Sequence, residues 1–186
     1  MNITLRPAVE SDVPRLTRLI ERSARALSAG YYSEAQIDAA VRYVFGVDSR
    51  LIADGTYLVA MVDGEIAGCG GWSRRRTLYG GDQRPVGADE WLDPKTDAAR
   101  IRAFFVSPEF ARRGIGRALL NACAMAAAHA GYRRLELMAT LPGVPLYAAE
   151  GFVESDWVTD VLPDGTAIDF VQMERGLPEA TGNSGS

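Results

Sequence analysis

The sequence predicts a single α/β domain in which a sheet of about seven strands is flanked by about four helices. Three observations carry that reading. Strand-like and helix-like hydrophobic periodicities alternate in the order β-α-α-β-β-β-α-β-α-β-β. A strand, crossover helix and strand unit occupies the centre, from Ile101 to Thr140. The 186 residues show no internal repeat and no linker-like stretch, and the length suits one core. The domain is expected over residues 1–175, with 176–186, small and polar, as a disordered tail.

The elements follow in chain order. Asn2 to Ala8 alternates Ile3 and Leu5 with polar neighbours and reads as a strand. "ESDVPRLTRLIERSARAL" reads as a helix capped by Ser11 or Asp12, with Pro14 in its first turn and Val13, Leu16, Leu19, Ile20 and Leu27 on one face. Ser33 caps a second helix bearing Ile37, Ala40, Val41 and Val44, which Gly46 ends. Two β-rich runs flank Asp63-Gly64, the dipeptide of a tight type I′ hairpin turn. Gly68, Gly70 and Gly71 in the second run imply a bulge or the close approach of another backbone. From Arg74 to Ala98 the periodicity dissolves, and a long surface loop is expected. Ala99 to Val106 resumes as a strand whose apolar end, Phe104-Phe105-Val106, suits a position covered on both faces. Ile115, Leu119, Cys123, Ala126 and Ala130 then recur at helical spacing until Gly131. "YRRLELMAT" is a strand, "GVPLYAAEG" a short helix, and "FVESDWVTDVL" and "AIDFVQMER" are strands joined by Pro163 to Gly165.

Composition narrows the function. A net charge of −4 argues against a nucleic-acid surface, which needs a broad basic patch. Cys69 and Cys123 form no CxxC and the single histidine is His129, so no metal site is expected and both cysteines read as buried free thiols. His129 sits near a helix C-terminus, where a partly charged imidazole is favourable, and takes no catalytic role. The N-terminus has no long apolar run and no segment approaches the roughly 20 residues that span a bilayer. A cytoplasmic location away from the membrane is the default expectation.

The stretch "ARRGIGRALL", Ala111 to Leu120, sets a Gly-x-Gly and three arginines at the start of a helix directly after a strand. The first four amides of a helix lack intrahelical partners and carry partial positive charge, so this is a natural cradle for a phosphate-type anion. A dinucleotide fingerprint would require glycine at position 119, which is Leu119, and an ATP-type loop would require a following lysine, which is absent. On the glycines alone, a plain turn with solvated arginines stands as the alternative.

"FFVSPEFARRGIGRALL", followed by "LYAAEGF", resembles the GNAT superfamily of N-acetyltransferases, and the likeness runs from Asn2 to about Glu174. The resemblance implies a GNAT-like fold with a mixed, mostly antiparallel sheet, and acetyl-CoA as the anion. Its pyrophosphate would rest on the amides of Arg112, Arg113, Gly114, Ile115, Gly116 and Arg117. Its pantetheine arm would pair with the backbone of Phe105 and Val106, where the sheet splays, and the Val106 amide would face the developing oxyanion. Tyr147 matches the family tyrosine near the thioester sulfur, a neutral phenol able to protonate the departing thiolate. Ala111 stands where the family phosphate motif carries Gln or Arg, and Arg112 and Arg113 supply the charge instead. Pro142 replaces a frequent asparagine, and Arg100 and Arg102 occupy the strand where some members place a glutamate base.

No residue of that strand can then accept the amine proton. Asp89, Glu90, Glu154 and Asp156 are the candidate carboxylates, with ordered water as the other route. The resemblance implies an acceptor pocket built from the loop between the first two helices, "SAGYYS", and from the last two strands, "SDWVTDVLPDG". Tyr31, Tyr32 and Trp157 would offer aromatic walls there, and Asp156, Asp160 and Asp164 negative charge suited to a cationic amine. The same residues read equally as loop polarity and core aromatics. The expected activity is acetyl transfer to a primary amine of a small molecule by direct attack in a ternary complex, because no nucleophile points to a covalent route. A non-catalytic acyl-CoA-binding module and a nucleotide-binding domain are the competing readings, and the resemblance leaves room for a homodimer.

Overall fold

In the computed structural model the described residues are 2–84 and 90–178. One seven-stranded sheet runs through them, with strands β1 (Ile3–Pro7), β2 (Tyr57–Val62), β3 (Glu65–Ser73), β4 (Ala99–Val106), β5 (Arg134–Thr140), β6 (Val153–Val161) and β7 (Ala167–Gly176). The spatial order is β1-β2-β3-β4-β5-β7-β6, and only the β4–β5 pair is parallel. The helices are α1 (Val13–Leu27), α2 (Glu34–Tyr43), α3 (Ser49–Ala53), α4 (Ile115–His129) and α5 (Val144–Ala149). The seven expected strands and four expected helices are all present. The fifth helix, α3, is too short to leave a periodic signature; it is capped by Asp48, whose carboxylate accepts from the Leu51 amide at 3.3 Å.

Each helix lies where its apolar stripe directs it. Leu16, Leu19 and Ile20 of α1 and Ile37 and Ala40 of α2 bury one face of the sheet against Val59, Cys69, Ile168 and Phe170. Leu120, Cys123 and Ala127 of α4 cover the other face against Ile101, Leu135, Leu137 and Val171. Both cysteines are buried free thiols, and burial pushes each thiol up to about 12. The hairpin turn falls at Asp63 and Gly64, whose φ values of 49° and 83° meet the type I′ requirement. No helix among the described residues is long and apolar enough to cross a membrane.

Four local expectations change. Asp12 does not cap α1 from its side chain; it is buried, takes two hydrogen bonds from Arg6 (2.7 and 2.8 Å) and one from the Val9 amide (3.0 Å). Those bonds, Arg6 first, hold its pKa below the ordinary carboxylate value against burial. The 74–98 stretch is more ordered than a surface loop: Leu92 is buried, its amide bonds the Arg74 carbonyl, and Arg75 forks onto Asp54 at 2.7 and 2.8 Å. Residues 85–89 of it lie outside the described residues. The fold also runs past residue 175, because Gly176 ends β7 and the Leu177 amide bonds the Arg133 carbonyl at 2.8 Å. The rest of the expected tail, from 179, lies outside the described residues. Finally, Phe104, Phe105 and Val106 are half-buried rather than covered on both faces, for a reason that defines the site.

Candidate functional site: a cleft through the sheet

β4 and β5 pair only at Ala99–Leu135 and Arg100–Glu136, then diverge. A bulge in β4 drives the divergence. Between the Phe105–Cys69 and Arg102–Gly71 pairs, β4 carries one residue more than β3, and Ala103 takes a left-handed φ of 55°. The buried Tyr57 hydroxyl donates to the Ala103 carbonyl at 3.1 Å and holds the bulge in place. A non-glycine residue in that conformation is strained by about 1–2 kcal/mol, and strain of this kind concentrates where function needs it. The resulting gap opens on a continuous cleft of about 650 Å³. One arm lies at the N-terminus of α4 and beside α5. The other lies beneath the C-terminal ends of α1 and α2.

The α4 arm is formed by the onset of α4 and, beside it, by Pro142, Gly143, Pro145, Leu146 and Tyr147. Ala111, Arg112 and Gly114 to Arg117 line it. Arg112 (φ 63°) and Gly114 (φ 85°) are both left-handed, and Ala118 makes the first helical turn's bond, to the Gly114 carbonyl at 2.9 Å. The amides of Ile115, Gly116 and Arg117 are therefore first-turn donors without intrahelical acceptors. The two glycines serve different ends. A Cβ on Gly114 would meet nothing within 4 Å, so its backbone angle, not crowding, calls for glycine, and the space above it is open. A Cβ on Gly116 would come within 2.8 Å of the Leu146 side chain, so that glycine lets α4 and α5 pack. The preceding turn is fixed by Ser107 and Arg22, which both bond the Glu109 carboxylate.

The three arginines separate. Arg112 is exposed and lines the cleft. Arg113 is exposed beside the Phe110 ring, 5.9 Å from its centroid. The Arg117 guanidinium is paired with Glu150, so its contribution to the arm is its amide. Phe105 and Val106 line the gap itself.

Tyr147 also lines the cleft. Its ring packs edge-on against Phe104 (6.4 Å) and Phe152 (5.8 Å), and the residue is 8% exposed. Burial, with a smaller effect of Cys123, raises its pKa, so the phenol stays protonated at neutral pH. No described residue accepts or donates a hydrogen bond at its hydroxyl.

The second arm departs from the sequence reading. Tyr31 lines it, but Tyr32 is a core residue: its hydroxyl donates to the Asp169 carbonyl (2.6 Å) and accepts from the Leu141 amide (2.9 Å). Burial is the main cause that raises its pKa to about 12. Trp157 is 60% exposed and Asp156 and Asp164 are exposed, all outside the cleft. The sheet order explains this, since β6 is the edge strand and β7 lies between it and the gap. Asp160 is engaged by Arg84 (2.5 Å) and the Tyr79 hydroxyl (3.0 Å), and these bonds outweigh burial to keep its pKa low. Of the candidate bases, Glu90 pairs with Arg76, Glu154 and Asp156 both bond Trp157, and Asp89 lies outside the described residues.

The walls that sequence reasoning missed come from Phe45, Tyr79 and Phe170, with Arg102 behind them. Segment 78–84 is strapped across this arm: the Gly81 amide bonds the Val44 carbonyl (2.8 Å), the Asp82 amide bonds the Val47 carbonyl (2.9 Å), and Arg102 donates to the Gly80 carbonyl (2.6 Å). Arg102 also pairs with Asp48 at 2.7 Å, both side chains at most 4% exposed. Arginines inside a mostly apolar strand were the available signal of such a buried pair.

The profile of the acetyltransferase (GNAT) family matches residues 18–152. No curated protein sequence matches the chain. Among solved structures, a GCN5-related N-acetyltransferase of Rhodopseudomonas palustris is similar with a TM-score of 0.68 at 21% identity, covering 95% of this chain and 97% of that one. The PaiA N-acetyltransferase of Thermoplasma acidophilum, solved with coenzyme A, gives 0.65 at 19% over 95% and 99%. A GNAT phosphinothricin acetyltransferase of Sinorhizobium meliloti, solved with acetyl-CoA, gives 0.64 at 24% over 100% and 94%. At these identities the structural likeness speaks for the fold, and the family match speaks for the lineage: the chain belongs to the GNAT family of acetyltransferases.

Proposed function

We propose that this protein transfers an acetyl group from acetyl-CoA to a primary amine by direct attack in a ternary complex. The observation that carries the reading is the gap between β4 and β5, which joins a backbone-amide arm at α4 to a second arm and has the Tyr147 ring at its side. In this reading the pyrophosphate takes the amides of 112–117, with Arg112 and Arg113 adding charge. The pantetheine chain lies along Phe105 and Val106, whose β5-facing edge has no strand partner among the described residues. The amine nitrogen attacks the thioester carbonyl, the N–C bond forms, and the Val106 amide stabilises the oxyanion. The C–S bond then breaks, the amine's proton leaves to water, and the Tyr147 hydroxyl protonates the thiolate. The phenol, held neutral by burial, suits that last step.

The Asp, Glu, His and Lys side chains of the described residues all lie outside the cleft lining. That supports deprotonation by solvent, before or as the amine enters the gap. The same feature favours the second reading, an acyl-CoA-binding module without turnover. Release of free thiol from acetyl-CoA, measured across a panel of primary amines, separates the two. Amine-dependent release with a matching mass gain of one acetyl group is expected. Tight acetyl-CoA binding with no release for any amine would establish the binding module instead.

A further inference from the structure

The arm beneath α1 and α2 is a box of rings. Phe45 stands edge-on to Phe105 (5.7 Å between centroids) and to Phe170 (6.4 Å), and Phe170 meets Tyr79 at 5.5 Å. The four come from the end of α2, from β4, from β7 and from the 78–84 strap, and their mutual contacts set the shape of the arm before any ligand arrives. The charged side chains lining the whole cleft, among the described residues, are Arg102, Arg112 and Arg117. The last two belong to the α4 arm. The acids bound to residues of this arm are already engaged: Asp48 with Arg102, and Asp160 with Arg84 and Tyr79.

Charge then decides what fits. A polyamine would bring a second ammonium group and lose its hydration against rings where, among the described residues, no carboxylate lines the cleft to receive it. An amino acid would bring a carboxylate to an arm whose one arginine already holds Asp48 and the Gly80 carbonyl. An amine whose body is an uncharged aromatic ring meets neither penalty. Its only ionisable group is the nitrogen that must lose a proton to react, and its ring gains the apolar and edge-to-face contacts of the box. We propose that the acceptor is a primary arylalkylamine with no second charged group, its ring among Phe45, Tyr79, Phe105 and Phe170 and its nitrogen at the gap beside Val106. The inference rests on the acetyl-transfer reading above, and the bond changes are those already given.

The test compares three amines that differ in charge. 2-Phenylethylamine is the expected acceptor, L-phenylalanine adds only a carboxylate, and 1,5-diaminopentane replaces the ring by a second ammonium. With the intact protein and acetyl-CoA, kcat/KM for 2-phenylethylamine should exceed each of the others by about 10²-fold, the scale on which a pocket rejects a mismatched group. Equal or higher values for the diamine or for phenylalanine overturn the proposal and leave acetyl transfer standing. Leu27→Glu gives a second reading. Leu27 lines this arm, ends α1 and is 36% exposed, so the variant keeps the fold while adding the missing carboxylate. It should raise kcat/KM for 1,5-diaminopentane relative to 2-phenylethylamine by about tenfold; an unchanged ratio counts against the proposal. Binding to the protein saturated with coenzyme A distinguishes the two failures. If no amine is acetylated but 2-phenylethylamine still binds more tightly than the other two, the ring box is upheld and acetyl transfer is lost. If 2-phenylethylamine does not bind, the box is not its site.

Discussion

In the α4 arm of the cleft the helix onset contributes residues of one local stretch, 111–117 without Arg113, while the arm beneath α1 and α2 draws on six separated segments. The first is written as a local pattern of glycine, arginine and helix onset. The second exists only after α1, the end of α2, the 78–84 strap, β4, β5 and β7 have been brought together. On the proposed reading, the cofactor would be met mainly by the helix-onset amides and the acceptor by side chains. The division can be broken experimentally, because changes in one arm should leave the other's ligand alone.

The largest effect is expected at Gly114. Gly114→Glu places a carboxylate in the open space above the first-turn amides and forces a side chain onto a φ of 85°. Acetyl-CoA affinity, read by calorimetry, should fall by about 10²-fold or more. Binding of an amine in the other arm should be little changed. An unaltered acetyl-CoA affinity in a folded variant would put the cradle elsewhere.

Two tyrosines sharpen the comparison. Tyr147→Phe removes a hydroxyl with no partner among the described residues, so the melting temperature should hold while kcat and kcat/KM fall together by about 10²-fold. Tyr32→Phe removes a hydroxyl that bridges the Asp169 carbonyl and the Leu141 amide. It should lose about 1–3 kcal/mol of stability, because a buried amide is left without its acceptor, and keep most of its turnover. A destabilised Tyr147→Phe with normal kcat would return that residue to a structural role.

Much of the fold was legible because its signals are local. Asp63-Gly64 fixed a hairpin, Ser33 fixed the start of α2, and the 115–130 stripe fixed α4. What stayed hidden depends on partners far away in sequence. The β4 bulge at Ala103 is set by register against β3 and by Tyr57, 46 residues earlier, and nothing in "ARIRAFFV" announces a left-handed alanine. Trp157 and Asp156 read as pocket residues because the last two strands were treated alike. The sheet turns β6 outward to the edge and gives the cleft Phe170 of β7 instead. Phe45 and Tyr79 belong to no periodic pattern, and they meet in the cleft only because the 78–84 strap bonds to the chain just after α2.

A pH profile tests whether either arm holds a base. No Asp, Glu, His or Lys among the described residues lines the cleft, and its tyrosines other than Tyr31 include two, Tyr79 and Tyr147, whose pKa burial raises. A raised pKa means the proton is held to higher pH, so Tyr147 remains a donor throughout the alkaline range. kcat/KM should therefore climb about tenfold per pH unit from pH 6 to 9, following the free-base fraction of an amine whose own pKa is about 10. A plateau near neutrality would reveal a side-chain base and restore a carboxylate to the mechanism.

The smallest effects belong to the arginines. Arg112→Ala should weaken acetyl-CoA binding about three- to tenfold at low salt, and less at high salt, because an exposed charge acts through a screened field. Arg113→Ala should do less, since Arg113 sits outside the cleft against Phe110. Losses equal at low and high salt would mean the two side chains act other than by charge.

The most direct measurement is a crystal structure of the protein with coenzyme A. The pyrophosphate should lie about 3 Å from amides within 112–117, the pantetheine should run along Phe105 and Val106 through the β4–β5 gap, and the sulfur should stand beside the Tyr147 hydroxyl with the ring box still open. Coenzyme A seated in the ring box, or bound away from the α4 amides, would contradict the division of the cleft into a backbone arm for the cofactor and a side-chain arm for the acceptor.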